Sequence, residues 1–296
     1  MKPAPFRYEA PTSVAEACGL LRRHADECKL LAGGQSLGPL LNLRMSTPSV
    51  LIDLRRIAAL RESPRLEGKM LRIAAMSTYQ ELLEAAVVRE HAPLLCESVP
   101  HVGHQAIRNA GTVGGSVAHA DPAAELPTVL VALEAAIRVR SIEGERLVSA
   151  RDFFTGIFST ALGEAEMVVG VELPAAEPEE GSAWIEVAPR HGDYAVVGVA
   201  TTLQIEDGRI RKARLALSGV GDRPHVASAV RQLEGLETAQ ASIDEVARAV
   251  RDEVSPRADL VSSVEYKQHL VAKLTADALR SAMLSPSRRM RKEGTT

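Results

Sequence analysis

Cysteine is scarce in this 296-residue chain: there are three, Cys18, Cys28 and Cys96, and no Cys-x-x-Cys pair. That argues against a disulfide framework and for a reducing compartment. It also excludes an iron–sulfur cluster held by this chain alone, which needs about four thiolates. Long apolar runs are missing. No stretch approaches the ~18 apolar residues of a membrane span, and the opening MKPAPFRYEAPTS has no apolar core for a signal peptide. The expected location is the cytoplasm. An excess of one charge is absent as well: 35 Lys and Arg stand against 38 Asp and Glu, a formal net charge of −3. Such a chain has no field that would draw it to nucleic acid or anionic lipid. No fixed-period repeat, Rossmann G-x-G-x-x-G, P-loop or H-E-x-x-H motif occurs.

What is present is 46% apolar residues, enough for a folded chain with two or three compact units. Ser13 and Glu16 read as a capping box opening a helix through Leu21, followed by a strand at 29–32 and another at 50–54. A strand at 70–75 precedes overlapping capping boxes at Ser77 and Thr78, which predict a helix to about Arg89. Residues 93–99 read as a shorter helix, and 135–140, 146–149 and 167–173 as strands. Pro174 to Gly181 (PAAEPEEG) reads as a linker. Beyond it, strands at 194–204 and 209–218 meet at Asp207-Gly208, a hairpin signal. Helices are expected at 226–236, 243–254 (start at Ser242/Glu245) and 264–283 (start at Ser262/Glu265). Arg288, Arg289, Arg291 and Lys292 mark a basic tail.

Two glycine loops carry the chemistry. One is Ala32-Gly33-Gly34-Gln35-Ser36-Leu37, just after a strand. The other is Gly111-Thr112-Val113-Gly114-Gly115-Ser116, in an almost uncharged segment. Few basic residues lie in either, so a bound diphosphate would rest on main-chain N–H groups and helix dipoles. The hydroxyls of Ser36, Thr112 and Ser116 can donate as well. Either loop alone reads as a tight turn; together they point to a nucleotide or dinucleotide site whose cofactor stays unnamed. A rival reading makes His101, His104, His119 and Asp121 a metal site for hydrolysis. Arg190-His191-Gly192-Asp193-Tyr194 reads as a polar turn before a strand.

AGGQSL at 32–37, GTVGGSVAHADPAAELP at 111–127 and RHGDYA at 190–195 resemble the FAD-binding subunit of the molybdenum hydroxylases. So do LIDLRRI at 51–57, AAMSTYQEL at 74–82 and SSVEYKQHLVAKL at 262–274. The resemblance implies an α+β chain: a two-part FAD-binding fold of the vanillyl-alcohol-oxidase (PCMH) type at 1–57 and 58–175, then a C-terminal α+β domain at 176–286, and a tail at 287–296. It implies that Ala32, Gly33, Gly34, Gln35, Ser36 and Leu37, with Gly111, Thr112, Val113, Gly114, Gly115 and Ser116, hold FAD, with Asp121 and Tyr194 close to it. Val113 and Tyr194 would shape the ring environment. Neither a metal ligand nor a substrate-transforming acid or base is implied on this chain. The molybdenum cofactor and 2Fe-2S clusters would sit on a large and a small partner subunit, in a dimer of heterotrimers. Gln35, where carbon monoxide dehydrogenases carry His, favours a heterocycle, purine or aldehyde hydroxylase. Three alternatives remain: a free-standing FAD oxidase, a cofactor-free assembly protein and the metal hydrolase.

Overall fold

A parallel sheet comes first, built from Arg7–Glu9, Val50–Asp53 and Cys28–Leu31 in that spatial order. The computed structural model describes residues 2–238 and 242–285; the basic tail lies outside them. The middle strand, VLID, is buried at every position, as a strand covered on both faces must be. Helix Val14–His24 links the outer strands, and the Ser13 hydroxyl accepts the Glu16 N–H at 3.2 Å. The return contact differs from a capping box, because Glu16 takes the Thr12 N–H at 2.8 Å.

The second sheet is antiparallel, in the order Arg65–Glu67, Met70–Ala74, Met167–Pro174, Ala136–Arg140, Glu145–Ser149. Thr78 and Glu81 form a complete capping box. The single helix expected beyond it is two, Tyr79–Glu84 and Ala86–His91, with Ala85 extended between them. The Arg89 guanidinium explains the break: it donates to the Leu83 and Glu84 carbonyls at 2.7 and 2.9 Å, which the interrupted helix leaves unpaired. The glycine-rich segment becomes helix α1 (Val113–His119), and helix α2 (Glu125–Ala132) follows.

The third sheet is antiparallel: Glu180–Val187, Val197–Glu206, Arg209–Ser218 and His225–Val226. Its hairpin turns at Asp207-Gly208, both with positive φ (52° and 72°), as that dipeptide predicts. The expected linker is a loop at 175–179; strand Met167–Pro174 reaches its first residue and strand Glu180–Val187 begins inside its last two. Glu180 is buried there because Arg214, two strands away, donates to its carboxylate at 2.8 Å. The long helix Val264–Leu284 lies directly on this strand: a Cβ at Gly181 would sit 1.9 Å from the Ala282 carbonyl oxygen.

The helix expected over 226–236 is instead the strand His225–Val226 and a 3-10 turn, Ser228–Leu233. Glu253 binds the Ser228 N–H and hydroxyl and the Ala229 N–H at 2.8, 2.7 and 2.5 Å, fixing the chain in that turn. The long helix is capped by Ser263, one residue later than expected, since Ser262 is bonded to Asp259. Trp184, Ala200 and Ala216 of the third sheet pack into the core of the first two, so the halves share a dry face. No described helix is long and apolar enough to cross a membrane.

Candidate functional site

The two glycine loops meet. The first leaves strand Cys28–Leu31 and the second leads into α1. A Cβ on Gly33 would lie 2.0 Å from the Ala110 carbonyl oxygen and 3.0 Å from the Gly111 Cα; one on Gly115 would lie 3.5 Å from the Ala32 Cβ. Only glycine at 33 permits that approach. Gly34, at φ 70°, turns the chain back on itself, and Gln35 Nε2 donates to the Gly33 carbonyl at 2.9 Å.

The loops differ in what they leave free. In the second, the Val113 N–H donates to Ser77 O at 3.0 Å and the Gly114 N–H to Ala75 O at 2.7 Å. The Gly115 N–H donates to the Thr112 hydroxyl at 3.2 Å. These amides hold the loop to the second sheet and are not open donors, and Val113 itself is a core residue. In the first loop, the N–H groups of Gly33, Gly34, Gln35 and Ser36 meet no protein acceptor among the described residues. The expectation of main-chain donors thus falls mainly on loop one. The second loop allows close approach, and its Ser116 side chain is hydrogen-bonded to Tyr79.

Side chains from three other elements complete the site. Tyr194 reaches from the C-terminal half to hydrogen-bond Ser36; its ring is half exposed, and burial of the phenol together with the Asp121 and Glu125 charges pushes it up to about 12. Its turn is seated by glycines on both sides: a Cβ at Gly192 (φ 86°) would lie 2.9 Å from the Gly103 carbonyl carbon. Arg190 holds Asp193 at 2.9 Å. Tyr79 is buried, bonds Ser116, and titrates well above the usual phenol range through burial. Asp121 accepts the Ala123 N–H at 2.9 Å and so turns the chain between α1 and α2. His119, its imidazole held below the usual range by burial, lies against Phe158 with ring centroids 4.9 Å apart.

The histidines of the metal reading have separate partners. His101 bonds Glu186 at 3.1 Å and is raised by it, while His104 precedes the turn Gln105–Arg108. No group of three or more metal-ligating side chains occurs among the described residues.

Glu125 was missed at the sequence level. It is 4% exposed, and burial followed by the Glu186 charge raises its carboxyl to about 7. The signal was one acid heading ELPTVLVA, a helix buried at all eight positions. A cavity of about 240 Å³ lies elsewhere, between α2 and strand Arg209–Ser218, with Ala132, Ala213 and Arg214 in its wall; no glycine-loop residue lines it.

Open amides at a glycine turn, a second turn closed against it and an aromatic side chain bonded to the first define a dinucleotide-binding protein. The comparisons give the family. The FAD binding domain in molybdopterin dehydrogenase matches residues 4–176, and the CO dehydrogenase flavoprotein C-terminal domain matches 182–282. The nicotine 6-hydroxylase medium subunit of Paenarthrobacter nicotinovorans is 37% identical over 93% of this chain and 96% of its own. Carbon monoxide dehydrogenase from Hydrogenophaga pseudoflava, in a form lacking the Mo-pyranopterin moiety, matches with a TM-score of 0.94 and 34% identity over 97% and 100% of the two chains. Quinoline 2-oxidoreductase from Pseudomonas putida 86 matches with a TM-score of 0.91 and 36% identity over 97% and 99%. The chain belongs to the FAD-binding medium subunits of the molybdenum hydroxylase family, which are oxidoreductases.

Proposed function

We propose that this chain carries electrons within a molybdenum hydroxylase assembly, from an iron–sulfur partner to an external acceptor. FAD supplies the redox chemistry when bound; the chain positions it and excludes competing reactions. In this reading the open amides of Gly33 to Ser36 and the Ser36 and Ser116 hydroxyls hold the diphosphate. Leu37, the first residue of helix Leu37–Asn42, contacts the cofactor beside them. Ala32 and the 111–115 loop give the cofactor its close seat, Thr112 and Val113 by fixing that loop to the second sheet. Asp121 and Tyr194 lie toward the ring. The working division is 1–57, 58–175 and 176–286.

The approach of Gly33 to Ala110 carries this reading, because it turns two turns distant in sequence into one cradle. With three cysteines, none in a cluster motif, the chain cannot supply the clusters itself. They belong on a small partner subunit and the molybdenum centre on a large one, in a dimer of heterotrimers in the cytoplasm. Hydroxylated substrate is then set on another chain. Names among the relatives, nicotine and quinoline, fit the heterocycle class that Gln35 favours.

The test is purification with the native partners. A yellow protein absorbing near ~450 nm, co-eluting with two chains that carry molybdenum and iron, is the expected result. A yellow protein that oxidises a small substrate alone would instead make it a free-standing oxidase. A chain that stays colourless with added FAD would overturn both.

A further inference from the structure

The cleft of about 240 Å³ at the C-terminal end of α2 lies between the two halves of the chain. One wall is Ala132, from α2, and Ala150, just past strand Glu145–Ser149. The other is Ala213 and Leu215, from strand Arg209–Ser218, and Ala227, just past strand His225–Val226. Main-chain bonds fix both walls. The Ala150 N–H donates to Ala135 O at 2.7 Å, and the Ala227 N–H donates to Leu215 O at 3.0 Å. With short side chains on pinned main chain, nothing moves in to fill the gap, and its lining stays apolar.

The charges around this cleft do not balance. Glu134 is the one acid in its wall, and its carboxylate is already taken by Lys212 at 2.5 Å and Arg214 at 3.5 Å. Glu180 takes the second terminal nitrogen of Arg214 at 2.8 Å. Arg151, from the first half, and Arg231, from the turn Ser228–Leu233, also line the cleft. Both are exposed, and neither side chain has a hydrogen bond or ion pair among the described residues. Two guanidinium charges are thus left over, one from each half. A guanidinium presents its N–H donors as a planar fork that matches a carboxylate.

We propose that this cleft binds a small aromatic carboxylate, with the ring between the alanine walls and the carboxylate held by Arg151 and Arg231. The size fits. An apolar cavity of about 150 Å³ takes benzene, so the volume here admits one substituted ring and excludes a nucleotide. Burial of the ring supplies the affinity, and the guanidiniums supply the choice of sign. A neutral ring would leave both charges unanswered, and an inorganic anion would leave the apolar walls wet. Because the walls come from different halves, an occupant touches both and stabilises their closed arrangement. No glycine-loop residue lines the cleft, so the site is independent of a flavin.

The test is calorimetric titration of the protein, in its native assembly, with three probes: benzoate, benzamide for the ring without the charge, and sulfate for the charge without the ring. Benzoate should bind saturably with a Kd of about 1–10 mM, at least about tenfold tighter than either of the others. This comparison needs no variant. In R151Q/R231Q, which changes exposed side chains only, the benzoate affinity should fall by about tenfold or more while far-ultraviolet circular dichroism is kept. Absence of saturable benzoate binding up to about 50 mM overturns the proposal. So does benzamide or sulfate binding as tightly as benzoate, or an unchanged benzoate affinity in folded R151Q/R231Q.

Discussion

The backbone of Gly33 rests against the carbonyl of Ala110, with room for a hydrogen and for no carbon: an added Cβ would lie 2.0 Å from that oxygen. Ala110 is main chain bonded back to the Ile107 carbonyl, and Gly33 lies two residues beyond strand Cys28–Leu31, so neither can yield cheaply.

Gly33→Ala should therefore abolish FAD retention by separating the two loops. The expected result is loss of visible absorbance per mole of protein with far-ultraviolet circular dichroism largely kept. Gly19→Ala is the control. Gly19 lies within helix Val14–His24 with nothing within 4 Å of its added Cβ, so that variant should keep the flavin and gain about 0.5–1 kcal/mol.

A hydrogen bond between Tyr194 and Ser36 ties the C-terminal half to the first loop. Tyr194→Phe and Ser36→Ala should each weaken FAD binding by about 0.5–1.5 kcal/mol. In the double variant the losses should be less than additive, because both variants remove the Tyr194–Ser36 bond while Ser36→Ala alone also removes a donor to the diphosphate. Titrating FAD into the four apo-proteins by fluorescence quenching measures this. Fully additive losses would show that the hydroxyls act separately.

Glu125 also gives the apo-protein a pH signature. Its carboxyl rises from 4.5 to about 7 on folding, so the native chain binds more protons than the unfolded one between those values. Stability should then fall as pH rises through that window and level off above it. Glu125→Gln removes the penalty and should be more stable than the wild type at about pH 8, by about 1–3 kcal/mol, with the advantage gone near about pH 4. Urea unfolding at the two pH values tests this; an equal gap at both would contradict it.

Asp259 has the opposite sign. Lys267 lies 2.7 Å away with its ammonium almost buried, and Val261 N, Ser262 N and the Ser262 hydroxyl donate to the same carboxylate at 2.9, 2.9 and 2.8 Å. The Lys267 bond first, then these donors, hold Asp259 far below the usual carboxylate range. Its contribution is present above that range and lost as pH falls through it. Solvent screens the half-exposed carboxylate, so Asp259→Asn should cost about 1–2 kcal/mol at neutral pH and progressively less in acid. Thermal unfolding of the pair across pH checks the slope.

Much of the local structure was legible because its causes are local. Thr78 and Glu81 close a capping box within four residues, and Asp207-Gly208 turns a hairpin by its own φ preferences. The glycine loops stand out because only glycine tolerates their geometry, and their order and spacing carried the family resemblance. The linker at 174–181 was legible as a loop at 175–179 but not at its end, because acidic, proline-rich sequence is normally solvated; the Arg214 side chain that buries Glu180 comes from a strand more than 30 residues on. The 226–236 segment followed the same rule, since Glu253 decides its turn from a distance.

By itself, then, the sequence determined the alternation of strands and helices, the two glycine turns and the lack of enough cysteines to hold an iron–sulfur cluster on this chain alone. Those follow from backbone preferences and from residue types present or missing. The tertiary structure alone decided that the turns touch, that the first keeps its amides free while the second spends them on the sheet, and that Glu125 is sealed from solvent. Hydrogen bonds and desolvation depend on which distant atoms share a few ångströms of space, and a linear order of residues does not contain that distance.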